Sequence, residues 1–254
     1  MPDFGHHILI LVPHPDDEVV ACAATIGRAQ ALGARIYSLY LTNGCIARNA
    51  LWPWQREHYR TMVARRHKEA ELAAKRLKVK PLAFADRPSR YAINELPTVL
   101  EEIRYAIASH DIDQLWVPAY EGGHTDHDAI NGVCSLLKQD ISILEFSEYN
   151  YAGGKAHSNH FSSPNGTERL VRLTDEEKGN KQTLLNLYAS ERSNLGTIKT
   201  DHEVFRPLAS YDYAQPPHEG KLWYARFQWV PFRHPRIDFT KPAQVSEAIT
   251  ALKG

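Results

Sequence analysis

Several things are scarce in this 254-residue chain, and each scarcity removes a class of protein. Cysteine is one: Cys22, Cys45 and Cys134 are odd in number and form no Cys-x-x-Cys pair. Small buried thiols in a reducing compartment are expected, with neither a disulfide framework nor a cysteine-held metal. No apolar run approaches membrane-spanning length, and no basic start leads into an apolar core with a small-residue cleavage site. The expectation is a soluble, cytoplasmic protein with no stable membrane insertion. Net charge is absent as well, because 30 basic and 30 acidic residues cancel. No whole-chain field draws in nucleic acid, and neither a base-reading motif nor an aromatic-interleaved platform is present, so no nucleic-acid partner is expected. The chain has no internal repeat. The first strand-to-helix turn carries His-Pro-Asp-Asp where a dinucleotide site would have its glycine fingerprint, which disfavours a dinucleotide-dependent enzyme.

What is present begins with Ile8-Leu9-Ile10-Leu11-Val12, a β-favouring run that stops at Pro13 and opens into His14-Pro15-Asp16-Asp17-Glu18. Apolar residues at helical spacing follow from Val19 to Leu32, and Gly33 stands where a helix often ends in a left-handed residue. His14, Asp16 and Asp17 therefore sit at the carboxyl edge of a strand, where open parallel sheets bind ligands. Imidazole with carboxylate is an ordinary ligand set for a first-row metal, zinc included, but a catalytic site needs a third protein ligand. The run Gln114-Leu115-Trp116-Val117-Pro118 leads to Gly123-His124-Thr125-Asp126-His127-Asp128 with the same strand-then-loop grammar. A lone histidine is more often a solvated or structural group; two clusters at matching strand ends are not so easily explained away. Spacing alone does not tell Asp16 from Asp17, or His124 from His127.

These residues resemble the zinc-dependent de-N-acetylases of the PIG-L or LmbE-like family, typified by N-acetylglucosaminyl-phosphatidylinositol deacetylase. The shared signatures are His14-Pro15-Asp16-Asp17-Glu18 and His124-x-Asp126-His127, with further likeness at Gly27, Gly33, Thr42-Asn43-Gly44, Arg66, Glu69 and Ala70. The resemblance implies that His14, Asp17 and His127 bind Zn2+, with Fe2+ as the other possibility. It implies that Asp16 is the general base and that His124 stabilises or protonates the reacting amide. Asp126, between the two histidines, is placed to orient one of them and is counted with the catalytic residues. Asn43, Arg66 and Tyr120 are the expected substrate contacts. The implied reaction removes the N-acetyl group from an N-acetylglucosamine-type amino sugar. A zinc amidase on a non-sugar amide is the alternative, and a carbohydrate-binding protein without catalysis is another.

The expected fold is α/β: a Rossmann-like parallel sheet flanked by helices over residues 1–151, with an elaborated α+β part over 152–254 covering the substrate, all as one domain. Strands are expected at 35–41, 80–85, 114–118, 141–149, 169–173 and 221–230, and helices at 55–77, 95–110 and 131–138. Thr174-Asp175-Glu176-Glu177 is a capping box for a helix to about Ser190. On the helix over 55–77 one face is apolar and the other basic, Arg66 included, so the basic face is expected to be mainly solvated. Residues 153–167 and 207–220 read as loops, the first of them mobile. His157 and His160 on the first raise a weak second-metal possibility. Trp52 and Trp54 are either sugar-stacking surfaces or loop packing.

Overall fold

In the computed structural model, which describes residues 2–196 and 198–253, the chain builds a seven-stranded sheet between two layers of helices. Strand β1 (His7–Val12) lies at its centre. Its side chains alternate: Ile8, Ile10 and Val12 enter one core, and Leu9 and Leu11 enter the other. A strand covered on both faces needs apolar residues at every position, and this one has them. Helix α1 (Asp17–Ala31) returns to strand β2 (Arg35–Tyr40) through Gly33, whose φ of +96° suits a residue without Cβ. Then follow α2 (Tyr59–Leu77), β3 (Lys80–Phe84), α3 (Leu96–Ser109), β4 (Gln114–Pro118), α4 (Thr125–Cys134) and β5 (Ser142–Phe146). The short strands β6 (Tyr149–Asn150) and β7 (His157–Ser158) pair with each other. Strand β8 (Arg169–Arg172), α5 (Asp175–Leu185), α6 (Arg192–Leu195), β9 (His202–Pro207) and α7 (Pro242–Lys253) complete the chain.

The sheet order is β3-β2-β1-β4-β5-β9-β8. The first five strands are parallel, and β9 joins β5 antiparallel, as β8 joins β9. From β1 the chain winds outward to β2 and β3, then returns to the other side of β1 with β4. The gap between the carboxyl ends of β1 and β4 is thus a topological switch point, where connecting loops diverge and leave a crevice. Both polar clusters emerge there.

The structure corrects several elements. Helix α4 starts at Thr125 instead of 131, so the second cluster occupies its first turn. Residues 53–58 form a 3₁₀ turn ahead of α2, and the helix capped by Thr174 ends at Leu185. Residues 221–230 form successive turns, closed by Ala225 N donating to Leu222 O and Arg226 N to Trp223 O, despite their β-favouring composition. β9 and α7 were not expected from the sequence. Within 153–167, Phe161 and Asn159 are buried, and Asn159 Nδ2 donates to the carbonyls of Lys199 and His202. Among the described residues no helix is long and apolar enough to cross a membrane.

Candidate metal centre

After β1 the chain turns sharply, with the N–H groups of Asp16 and Asp17 both donating to His14 O. Asp17 becomes the first residue of α1, and its Oδ2 accepts from His14 N at 2.7 Å. Asp16 stands at the helix N-cap without capping it, so its carboxylate remains available. Across the crevice His124 caps α4, its Nδ1 accepting from Asp126 N at 3.1 Å. His127 follows one turn along, and it is 3% exposed.

Three donor atoms converge between these turns. His127 Nε2 lies 3.2 Å from His14 Nδ1 and 3.2 Å from Asp17 Oδ2, and His14 Nδ1 lies 3.3 Å from Asp17 Oδ2. A tetrahedral ion bound at about 2.0–2.1 Å would hold its ligand atoms about 3.3–3.4 Å apart, so the triangle has the size of one face of that polyhedron. Two imidazole lone pairs and a carboxylate aimed at one point repel unless positive charge lies between them. His14 Nε2 donates to Asp126 Oδ2 at 3.0 Å, which fixes the tautomer whose free lone pair is on Nδ1, inside the triangle. The donor set therefore fits a divalent cation. A second group, His14, His124 and Asp126, is also close enough to hold an ion. It does not fit one, because Asp126 already accepts from Arg90 N at 2.6 Å and Ala92 N at 3.1 Å, and His124 Nδ1 is occupied.

Charge in the site is strongly biased. Burial opposes positive charge at His14, but Asp17 and Asp126 outweigh it and push its pKa up to about 10, so these carboxylates favour one positive charge, a proton or a cation in its place, where the donors meet. Burial also pushes Asp17 up, and His127 with His14 overcomes this and holds it well below the usual carboxylate range. Asp16 differs. Burial raises it, Arg66 pulls it back, Asp17 raises it again, and it lies at about 6. Burial and the charge on His14 push His124 well below the usual imidazole range, which leaves it neutral with its one proton on Nε2.

The other expected site residues fall differently. Asp126 is fully buried and orients His14, while its own flanking histidine His127 lies in the donor triangle; it is a positioning residue with no open face for substrate. Arg66 is not on the solvated face of α2. It is 3% exposed, with Nη2 3.2 Å from Asp16 Oδ2 and Nη1 3.3 Å from Glu191 Oε1, so its charge lies against Asp16. Asn43 is fully buried, its amide spent on Tyr59 Oη, Asp86 O and Cys45 N, which shapes the turn after β2. Tyr120 is 2% exposed and donates to Gln215 O among Tyr211 and Tyr213. The turn at Gly44 has φ +71°, and a Cβ there would stand 2.7 Å from Pro15 and 2.8 Å from Arg66 Nε, so the approach of Arg66 requires glycine. Arg87 is tied up with Glu95 and Glu102, and Arg90 with the carbonyls of Pro235 and Ile237. His157 and His160 share a ring contact at 5.7 Å and join no metal-sized cluster among the described residues. Sequence reading missed Glu148, just beyond β5, whose buried carboxyl is pushed up by burial and by the charge of Asp17. Its one signal was an acidic residue at a strand's carboxyl end.

Comparison with known proteins is consistent with this arrangement. The family model described as PIG-L, GlcNAc-PI de-N-acetylase, matches residues 9–136, half of the chain. No curated protein matches. Among solved structures, the A40926 pseudoaglycone deacetylase Dbv21 is 19% identical, covers 81% of this chain and 99% of its own, and has a TM-score of 0.62. The zinc-inhibited form of the teicoplanin deacetylase Orf2 is 18% identical over 79% of this chain and 97% of its own, with a TM-score of 0.58. The N,N'-diacetylchitobiose deacetylase from Pyrococcus horikoshii is 15% identical over 84% of each chain, with a TM-score of 0.55. At these identities the likeness is one of fold.

Proposed function

The chain belongs to the PIG-L family of GlcNAc-PI de-N-acetylases, and we propose on that basis that it is a metal-dependent hydrolase removing the acetyl group from an N-acetylated amino sugar. The observation that carries this reading is the triangle of His14 Nδ1, Asp17 Oδ2 and His127 Nε2 with the ionisable Asp16 beside it. Those three atoms would hold the cation, with Zn2+ suited to two imidazoles and one carboxylate. A cation in that position supplies Lewis-acid polarisation of the acyl carbonyl and acidifies water. The chain supplies the rest.

Asp16 takes a proton from the attacking water. A carboxylate at about 6 is ionised at neutral pH yet basic enough to hold that proton. Arg66 grips Asp16 Oδ2 and keeps the base in place without neutralising it. His124 presents Nε2–H as a neutral donor to the oxygen on which negative charge develops, and its Nδ1 bond to the α4 backbone fixes its aim. Of the two roles the resemblance implies for His124, this is the stabilising one. Asp16 then returns its proton to the leaving nitrogen, the C–N bond breaks, and carboxylate and amine are released. The sugar substrate is favoured because the matching family model is that of a GlcNAc-PI de-N-acetylase and the solved structures of the same fold include an N,N'-diacetylchitobiose deacetylase. Amine release from a panel of N-acetylated amino sugars, with and without chelator, tests the reading. Release that chelation abolishes is the expected result. Bound metal with no release from any acetamide would favour a binding protein instead.

A further inference from the structure

Exposed aromatic residues are concentrated in two segments of the chain that touch each other, one of them tied to this site. Trp54, Phe227, Trp229, Phe232 and Phe239 are 67%, 51%, 74%, 58% and 40% exposed. The two segments that carry them touch: Trp52 stacks on Trp54 at 5.4 Å and meets His234 at 5.6 Å, and His234 lies 6.4 Å from Phe232. The 223–239 segment is also tied to the metal centre by two routes. Rings run from His127 to Tyr149 at 6.0 Å and on to Trp223 at 5.3 Å, where the Arg226 guanidinium lies over Trp223 and near Phe227. Arg90 binds Asp126 through its N–H and holds Pro235 O and Ile237 O through Nη1. A water-exposed surface seldom leaves so many large rings together without a partner.

Charge identifies that partner. From 221 to 241 the chain has five cations, Lys221, Arg226, Arg233, Arg236 and Lys241, against one carboxylate, Asp238, in a protein whose total charge is zero. Asp238 is buried and accepts from Thr125 Oγ1. Lys221, Arg233, Arg236 and Lys241 are exposed, and none forms an ion pair among the described residues. Exposed tryptophan and phenylalanine in a segment that also carries unpaired lysine and arginine suit the boundary between lipid headgroups and acyl chains, where rings bury and cations meet phosphates. A soluble sugar would stack on one or two rings and has no use for unpaired cations.

We propose that this face docks the protein on an anionic lipid bilayer, as a peripheral contact and without spanning it. Docking holds the mouth of the metal centre against the headgroup layer. The inference rests on the exposed face and not on the hydrolytic reading.

Cosedimentation of the full chain with extruded vesicles tests it, using phosphatidylcholine alone and an equal mixture with phosphatidylglycerol. The protein is expected to pellet with the mixture and not with phosphatidylcholine alone, with a blue shift of tryptophan emission that high salt reverses. Trp229→Ser with Phe232→Ser should weaken partitioning by about tenfold or more, and Arg233→Glu with Arg236→Glu should do the same. Both pairs should release amine from a water-soluble acetamido sugar at the unsubstituted rate, which separates failure of docking from failure of catalysis. No partitioning onto the anionic vesicles, or partitioning that both pairs leave unchanged, overturns the proposal. So does a dimer in lipid-free buffer that Trp229→Ser with Phe232→Ser dissolves, since the face would then belong to a second copy.

Discussion

Arg66 shows how a single side chain sets the charge balance of Asp16, the proposed base. Its charge 3.2 Å from Asp16 offsets part of the burial that raises that carboxylate. Removing the charge must raise Asp16 further, and because the base works only when ionised, the acid limb of the kcat/KM profile moves to higher pH. Arg66→Met is therefore expected to shift that limb upward with metal content unchanged, and Arg66→Lys to restore part of the shift; an unmoved limb would show that Arg66 does not tune the base. The sequence made the meeting of His14, Asp17 and His127 legible, because side chains that can ligate a metal are restricted in residue type and spacing. It could not place Arg66, Asn43 or Tyr120. An arginine among six other basic residues on one helix looks solvated until the turn at Gly44 is seen to admit it. Asn43 and Tyr120 stand at the right edge of the sheet, and whether such a residue faces a ligand or the interior depends on partners far away, such as Asp86 and Gln215.

At the scale of elements, the antiparallel β9 is fastened to α1 by Glu203. This fully buried carboxylate accepts from Ala24 N, Thr25 N, Thr25 Oγ1 and the equally buried Lys181 Nζ of α5 at 2.8 Å. A buried ion pair contributes little net stability, but breaking one side strands the other charge, at a cost of about 3–5 kcal/mol. Glu203→Leu alone should therefore lower unfolding free energy in urea by about that much, whereas Glu203→Leu with Lys181→Met should lose distinctly less. Equal losses would mean that the pair has no special role. The sequence concealed β9 because half of it is polar: His202, Glu203 and Arg206 interrupt its apolar residues, and their pairing with other groups is what permits them there. The opposite error arose at 221–230. Trp223, Tyr224, Phe227 and Trp229 are β-favouring, but no strand edge is offered to them, and local turns take up their backbone groups.

At the scale of the whole molecule, the order of the parallel strands is what brings the two clusters together. The apolar runs around β1, β2 and β4 predicted an open α/β sheet, and that sheet is present with β1 beside β4 in register Ile10 against Trp116. What lay beyond the sequence was the extension of the same sheet by β9 and β8, because non-local pairing is written in partners and not in pattern. A cation shared between the loop after β1 and the start of α4 should stabilise the folded chain by binding it and not the unfolded one, by about 2.7 kcal/mol at a hundredfold excess over Kd. Chelation should accordingly lower the Tm of the purified protein, and added Zn2+ should restore it; a Tm indifferent to both would mean that no ion spans the two halves. The most direct measurement is metal content per chain, by plasma mass spectrometry, for the unsubstituted protein and for Asp16→Ala, His14→Ala and His127→Ala purified alike. The expected result is about one equivalent in the first two, with turnover down by about 10²–10⁴-fold in Asp16→Ala, and almost none in the two histidine variants. Equal metal in all four would contradict the assignment of His14 and His127 as ligands, and undiminished turnover in Asp16→Ala would contradict that of Asp16 as the base.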